Sequence, residues 1–160
     1  MERWREIFKT CHDRDPKVKL LLVGDGDLRT GIEKKVNEYG LDKTVIFTGL
    51  RRDVPKLMKG MDCFVFPSHY EGLPVTVVEA QAADLPCYIS DKITKEVQFS
   101  QDVRYLPIEQ STDLWADMIL STMRKDRTDR SSLIIEHGYD IHTTVKWLAD
   151  FYSEKAAARK

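Results

Sequence analysis

The sequence predicts an α/β fold: a doubly wound parallel sheet with helices on both faces and a helical C-terminal tail. Three observations predict it. Short apolar runs alternate with stretches of helical periodicity from Val18 to Leu106, the order expected of parallel strands joined by crossover helices. After Pro107 the pattern becomes wholly helical. The 160 residues and 42% hydrophobic content suffice for one domain with one sizeable core.

The strands are expected at Val18 to Val23, Thr44 to Thr48, Asp62 to Pro67, Pro86 to Ser90 and, more weakly patterned, Val103 to Leu106. Between them fall helices near Asp27 to Tyr39, Asp53 to Gly60 and Pro74 to Ala83. The tail reads as three helices, from about Thr112 to Lys125, from about Arg127 to His137, and from Asp140 onward. In the last, Ile141, Val145, Leu148 and Tyr152 form a stripe that Trp147 and Phe151 widen. That stripe is expected to pack on the sheet, with width left over for a second surface.

Composition excludes several functions. A formal net charge of −1, with both signs interspersed, gives no electrostatic footprint for nucleic acid or an anionic membrane. Cys11, Cys63 and Cys87 lack metal-ligand spacing and read as buried thiols of a reducing cytoplasm. The first residues carry no apolar leader, and no run approaches the length of a membrane span, so a cytoplasmic chain is expected.

One turn stands out. Glu71 and Glu79, with seven residues between them, bracket Gly72-Leu73-Pro74 where a strand passes into a helix. Asp27, Asp53, Thr112 or Asp113, and Asp140 stand where N-cap oxygens belong, whereas the Pro74 helix has none. Its first amides are therefore either hydrated or reserved for an external anion. Glu79 lies more than a turn inside that helix, on a face with Thr76 and Ala83, while Val75, Val78 and Ala82 supply a packing face. A carboxylate there can accept two hydrogen bonds from adjacent ribose hydroxyls, or simply face solvent. Glu71 would be stabilised near a helix N-terminus by about 0.3–1 kcal/mol in any protein, so neither residue alone identifies a site.

The surrounding residues do. Asp62-Cys63-Phe64-Val65-Phe66-Pro67-Ser68-His69-Tyr70-Glu71-Gly72-Leu73-Pro74, continuing through Val78-Glu79-Ala80-Gln81-Ala82 to Leu85-Pro86, closely resembles the retaining GT-B glycosyltransferases of family four, also called group one. The resemblance extends to Leu20-Leu21-Leu22-Val23-Gly24-Asp25-Gly26-Asp27 and Val45-Ile46-Phe47-Thr48-Gly49. The segment Ser90-Asp91-Lys92-Ile93-Thr94-Lys95-Glu96-Val97 looks most like the branch that builds exopolysaccharide and capsule.

The resemblance implies a Rossmann-like, C-terminal donor-binding domain, with Glu79 on the ribose hydroxyls of a nucleotide-sugar donor and Glu71 as the catalytic carboxylate facing the donor sugar. Gly72, Leu73, Pro74, Val75 and Thr76 would present backbone donors to the distal phosphate and sugar. Gly49, Leu50 and Arg51 would flank the base, although Arg51 and Arg52 also read as a solvated pair beside Asp53. No cofactor or metal is expected, since the family uses helix dipoles and basic side chains at the diphosphate. A saccharide or lipid-linked acceptor would be held by an N-terminal domain that this chain lacks. The full-length protein would work in the cytoplasm or peripherally at the inner membrane.

Two departures from the family pattern are expected to matter. Asp84 stands where members have glycine, at a small cost in stability. The family's C-terminal domain also opens with a strand ending in Gly-Arg, followed by a lysine, whereas Met1 to Cys11 reads as the helix after that strand. In a sheet of order 3-2-1-4-5-6 the missing strand is the central one. The others must close over its place, leave a gap or recruit a strand from another chain, and self-association or a weakly stable monomer is expected.

Other function classes compete. Gly24-Asp25-Gly26 follows an apolar strand as in a nicotinamide-dependent oxidoreductase, but Arg29 occupies the third glycine position. A sugar-nucleotide epimerase of the same fold and a non-catalytic nucleotide-binding module are the alternatives. Among His12, His69, His137 and His142 only His69 lies beside the proposed site, and no Ser-His-Asp arrangement emerges.

Overall fold

The computed structural model describes residues 3–121 and 128–157. In chain order these form α1 (Arg3–Arg14), β1 (Leu20–Leu22), α2 (Arg29–Glu38), β2 (Val45–Phe47), α3 (Val54–Lys59), β3 (Phe64–Phe66), α4 (Val75–Ala82), β4 (Cys87–Ser90), β5 (Val103–Leu106), α5 (Thr112–Leu120), α6 (Ser131–Glu136) and α7 (Ile141–Ala157). A 3₁₀ turn spans Lys95–Val97. Every expected strand holds an observed one within its bounds. The end of the expected Thr112 to Lys125 helix falls partly outside the described residues.

Two parallel sheets share the strands. β1 pairs with β2, Leu21 opposite Ile46, while β3, β4 and β5 form a second sheet with Val65 opposite Tyr88 and Ile89 opposite Tyr105. β1 and β3 share no ladder. The break falls where the central strand was expected to be missing, and within this chain the neighbouring strands do not close over it.

β4 lies at the centre of the larger sheet, and all four of its residues are buried. Its side chains alternate as a pleated strand requires. Cys87 and Ile89 join Val77, Val78 and Ala80 of α4, Leu85 and Val103 in one apolar cluster. Tyr88 joins Ile7 and Cys11 of α1, Trp115 and Ala116 of α5, and Leu106 in another. Helices thus cover both faces of this sheet. A third cluster sets Phe8 of α1 against Val36, Leu41 and Val45 at the smaller sheet. α1 therefore joins the two halves, and it is tied to α5 through Thr10 and Thr112 at 2.8 Å and through Arg14, which pairs with both Asp113 and Asp117.

Two expectations are corrected. α7 does not pack on the sheet, because α4 covers one face of the larger sheet and α1 and α5 the other; none of its residues is buried. Its aromatics instead stack on one another, with the Trp147 and Phe151 ring centroids 5.6 Å apart. Side-chain capping also fails to set α4 apart. Asp140 does cap α7, accepting from the Thr143 amide at 2.8 Å, but Leu28 occupies the α2 cap, Asp53 turns to Arg51, Ser111 caps α5 without a side-chain bond, and Asp113 turns to Arg14. Helices α2, α3, α5 and α6 thus share with α4 the lack of a bonded side-chain cap.

Asp84 adopts φ 57°, the left-handed conformation that glycine favours. Its side chain is 9% exposed and pairs with Arg130, whose guanidinium also reaches Asp102 at 3.0 Å. The Thr128 amide donates to it at 2.9 Å. The departure from glycine thereby ties the segment before α6 to the end of α4.

Candidate functional site

The strand β3 delivers the chain through Pro67 into a loop that enters α4 at Pro74. Pro74 is buried and fixes the entry, while Gly72 and Leu73 on its outer side are exposed. No protein group accepts from the amides of Gly72, Leu73, Val75 or Thr76 among the described residues; the first bond of the helix runs from the Val77 amide to the Pro74 carbonyl at 3.0 Å. These amides sit at the carboxyl end of a parallel strand, where the helix dipole is positive toward solvent.

The helix sorts its own side chains. Val77, Val78, Ala80 and Gln81 are buried, whereas Val75, Thr76 and Glu79 are exposed. Val75 therefore leaves the packing face expected for it, and Val77 takes its place. The spacings of three and four residues put Val75, Thr76 and Glu79 on one face, beside the open amides. The Glu79 carboxylate has no protein partner among the described residues.

Glu71 is held differently. It is half-buried, and the Ser68 hydroxyl donates to its Oε1 at 2.8 Å. That bond spans the loop from the end of β3 and fixes the carboxylate ahead of the helix. Ser68 was not singled out from the sequence, although a serine three residues before the glutamate in a turn was a readable signal. His69 lies beside Glu109, Nδ1 to Oε1 3.8 Å, and both side chains are exposed.

Gln81 is the other residue that sequence reasoning missed. Its amide nitrogen donates to the carbonyls of Val77 at 3.1 Å and Val97 at 2.7 Å, while its oxygen accepts from the amides of Phe99 at 3.0 Å and Ser100 at 3.1 Å. All four of its hydrogen-bonding positions are filled at a site only 1% exposed. It clamps α4 to the loop before β5, and nothing in the local pattern distinguishes it from a surface glutamine.

The expected base-flanking residues lie after β2. Gly49 has φ 67° and bridges to Gly24, whose amide donates to the Gly49 carbonyl at 3.0 Å. Leu50 is 83% exposed. Arg51 is bound bidentately by Asp53, at 2.8 and 2.7 Å. The pair raises the guanidinium further above its ordinary range and lowers the Asp53 carboxyl. Arg51 thus carries a compensated charge, in the solvated arrangement that the sequence left open. Beside this turn a cleft of about 470 Å³ runs between Trp4, Leu22, Val23, Arg29 and Phe47.

No group of three or more His, Cys, Asp and Glu side chains gathers closely enough to hold a metal ion among the described residues. No described helix is long and apolar enough to cross a membrane.

The chain is similar to known proteins over most of its length. Residues 3–137 match the family described as Glycosyl transferases group 1. EpsF of Bacillus subtilis, named as a glycosyltransferase, is 37% identical over 145 residues, which is 88% of this chain and 38% of EpsF. The chain thus spans well under half of that relative. A crystal structure of the C-terminal domain of a glycosyl transferase group 1 family protein, LpcC from Francisella tularensis, superposes with a TM-score of 0.62 at 26% identity, covering 89% of this chain and 77% of that one. A mutant of S. aureus TarM, solved with Fondaparinux, alpha-GlcNAc-glycerol and UDP, superposes with a TM-score of 0.75 at 23% identity, covering 92% of this chain and 32% of TarM. The fold is that of part of a GT-B enzyme, and the chain belongs to the group 1 glycosyl transferases.

Proposed function

We propose that this chain is the C-terminal donor-binding domain of a retaining glycosyltransferase that takes its sugar from a uridine diphosphate donor. The observation that carries the reading is the exposed end of α4: open amides from Gly72 to Thr76, with Glu79 on the same face, after the carboxyl end of a parallel strand in a chain of this family. The UDP in the related TarM structure supports the base.

In this reading Glu79 accepts from the two ribose hydroxyls, and the α4 amides meet the distal phosphate. Transfer develops oxocarbenium character on the sugar and negative charge on the departing diphosphate. Amides fixed before the reaction stabilise that charge without reorganising. Glu71, oriented by Ser68, faces the sugar. Gly49 and Leu50 line the base side of the site. Acceptor recognition, of a saccharide or a lipid-linked sugar in exopolysaccharide assembly at the cytoplasmic face of the membrane, belongs to an N-terminal domain. These 160 residues bind the donor without completing transfer.

A thermal-shift panel of nucleoside diphosphates and their sugars tests the reading, because a ligand that binds only the folded chain raises its melting temperature by mass action. The expected result is a shift selective for UDP and UDP-sugars. Equal shifts across all bases, or none, would contradict it.

A further inference from the structure

The loop from Pro67 to Pro74 distributes its side chains against the usual order. Surface turns expose charge and bury apolar groups, as the turn before β2 does, where Leu41 is buried while Asp42 and Lys43 are exposed. Between β3 and α4 the charged Glu71 is half-buried, whereas Tyr70, Leu73 and, at the first position of α4, Val75 are 86%, 45% and 52% exposed. A single exposed apolar side chain is ordinary. Three within six residues, around a held carboxylate, form a patch that a merely solvated loop has no reason to keep.

Tyr70 is the most exposed large apolar residue among those described, and its side chain has no hydrogen-bond, ring or cation partner among them. The backbone beneath it is nonetheless fixed. The Ser68 hydroxyl lies 3.2 Å from the Tyr70 carbonyl oxygen and 2.8 Å from Glu71 Oε1, so one hydroxyl hydrogen holds both acceptors. His69, the residue before the tyrosine, lies 3.8 Å from Glu109 of the loop after β5, across the end of β4. The chain is thus tied on both flanks of Tyr70 while the ring stands free in solvent. An ordered backbone under an unpartnered ring is the arrangement of a preformed contact surface, which loses little freedom when a ligand arrives.

A pyranose ring matches this combination. It presents C–H bonds on its faces and hydroxyls around its edge. The C–H face is attracted to the negative face of an aromatic ring, and the hydroxyl edge donates to a carboxylate. Resting on the donor-site role given to Glu71, we propose that Tyr70 is a specificity-determining residue that stacks on the C–H face of a substrate pyranose while Glu71 takes hydroxyls at its edge. The phenol hydroxyl plays no part, so phenylalanine serves as well as tyrosine. The pyranose is the donor sugar or the last sugar of the acceptor, which share this chemistry.

The chain labelled with 3-fluorotyrosine carries six fluorine reporters, one for each tyrosine, and Tyr70→Phe identifies the signal of Tyr70. UDP, UDP-glucose, UDP-galactose and UDP-N-acetylglucosamine are titrated separately, and methyl glucoside and methyl galactoside are added to the chain with and without saturating UDP. The Tyr70 signal should shift with at least one UDP-sugar, which assigns the ring to the donor, or with a glycoside, which assigns it to the acceptor; UDP alone should leave it in place. For the sugar that shifts it, Tyr70→Ala should weaken binding by roughly fivefold, Tyr70→Phe should keep the affinity of the parent chain, and UDP should bind all of these proteins equally. A shift as large with UDP as with its sugars would place the nucleotide on the ring and overturn the proposal. No shift with any sugar while calorimetry shows UDP bound would overturn it and leave the donor site standing. If UDP itself does not bind, the donor site fails and the glycosides decide Tyr70: no shift with either overturns the proposal as well.

Discussion

Ser68 donates its hydroxyl hydrogen to Oε1 of Glu71 across 2.8 Å, which ties the end of β3 to the carboxylate that precedes α4. In the proposed function this bond orients the carboxylate at the donor sugar. Replacing Ser68 by alanine removes a hydrogen bond to an ionised group, so UDP-sugar binding should weaken by about 1 kcal/mol, roughly fivefold. UDP, which lacks the sugar, should bind unchanged. Calorimetric titration of both ligands separates the outcomes, and equal weakening of the two would place the effect on the fold.

The Gln81 side chain holds α4 against the Val97–Ser100 loop through three hydrogen bonds, to the Val97 carbonyl and the Phe99 and Ser100 amides. Gln81→Leu keeps the volume but strands the amides of Phe99 and Ser100, so unfolding free energy should fall by about 3 kcal/mol. Urea unfolding measures it, and a change below about 1 kcal/mol would mean that the loop finds other partners.

Arg130 neutralises Asp84 and reaches Asp102, with the Asp84 side chain 9% exposed. Arg130→Ala leaves a mostly buried carboxylate without its cation, and should cost about 2–3 kcal/mol. Adding Asp84→Gly to that variant should recover much of the loss, because glycine suits φ 57° and the mostly buried carboxylate is removed, leaving only the more exposed Asp102 without Arg130. Thermal melts of the two variants decide it; no recovery would show that Asp84 contributes through contacts other than Arg130.

Burial pushes the Cys11 thiol from its ordinary 9.0 up to about 11 and the Cys87 thiol up to about 12. Both are buried, whereas Cys63 is half-exposed. At pH 8 a thiol reagent should label Cys63 well before the other two. The folded chain holds these two protons more tightly than the unfolded chain, so their contribution to stability is fully present below pH 9.0 and is lost as pH rises toward 11 and 12. Unfolding midpoints measured from pH 7 to pH 11 should fall only above pH 9.0, and a flat profile would contradict the assignment.

The strands were legible because apolar runs such as Asp62 to Pro67 have strand length and firm boundaries. The family words placed Glu71 and Glu79 where the structure has a strand-to-helix turn. Capping was less legible. Asp53 and Asp113 have cap-like positions, but each finds an arginine, Arg51 and Arg14, which offers a stronger partner than a helix amide. The packing face of α4 was legible only in part, since Val78 is buried as expected but Val77, Ala80 and Gln81 join it in place of Val75, and a short apolar helix reads ambiguously. Gln81 and the Asp84–Arg130 pair depend on contacts between segments distant in sequence. The stripe on α7 was read correctly as apolar, but the faces of the larger sheet were already taken.

The central claim is that Glu79 and the α4 amides hold the nucleotide. Calorimetric titration of UDP into the chain and into Glu79→Ala tests it most directly. Loss of two charge-assisted bonds to the ribose should weaken binding by about 2 kcal/mol, roughly thirtyfold, while the melting temperature of the unliganded protein stays unchanged because Glu79 is exposed and touches no partner. An equal dissociation constant for the two proteins would contradict the account.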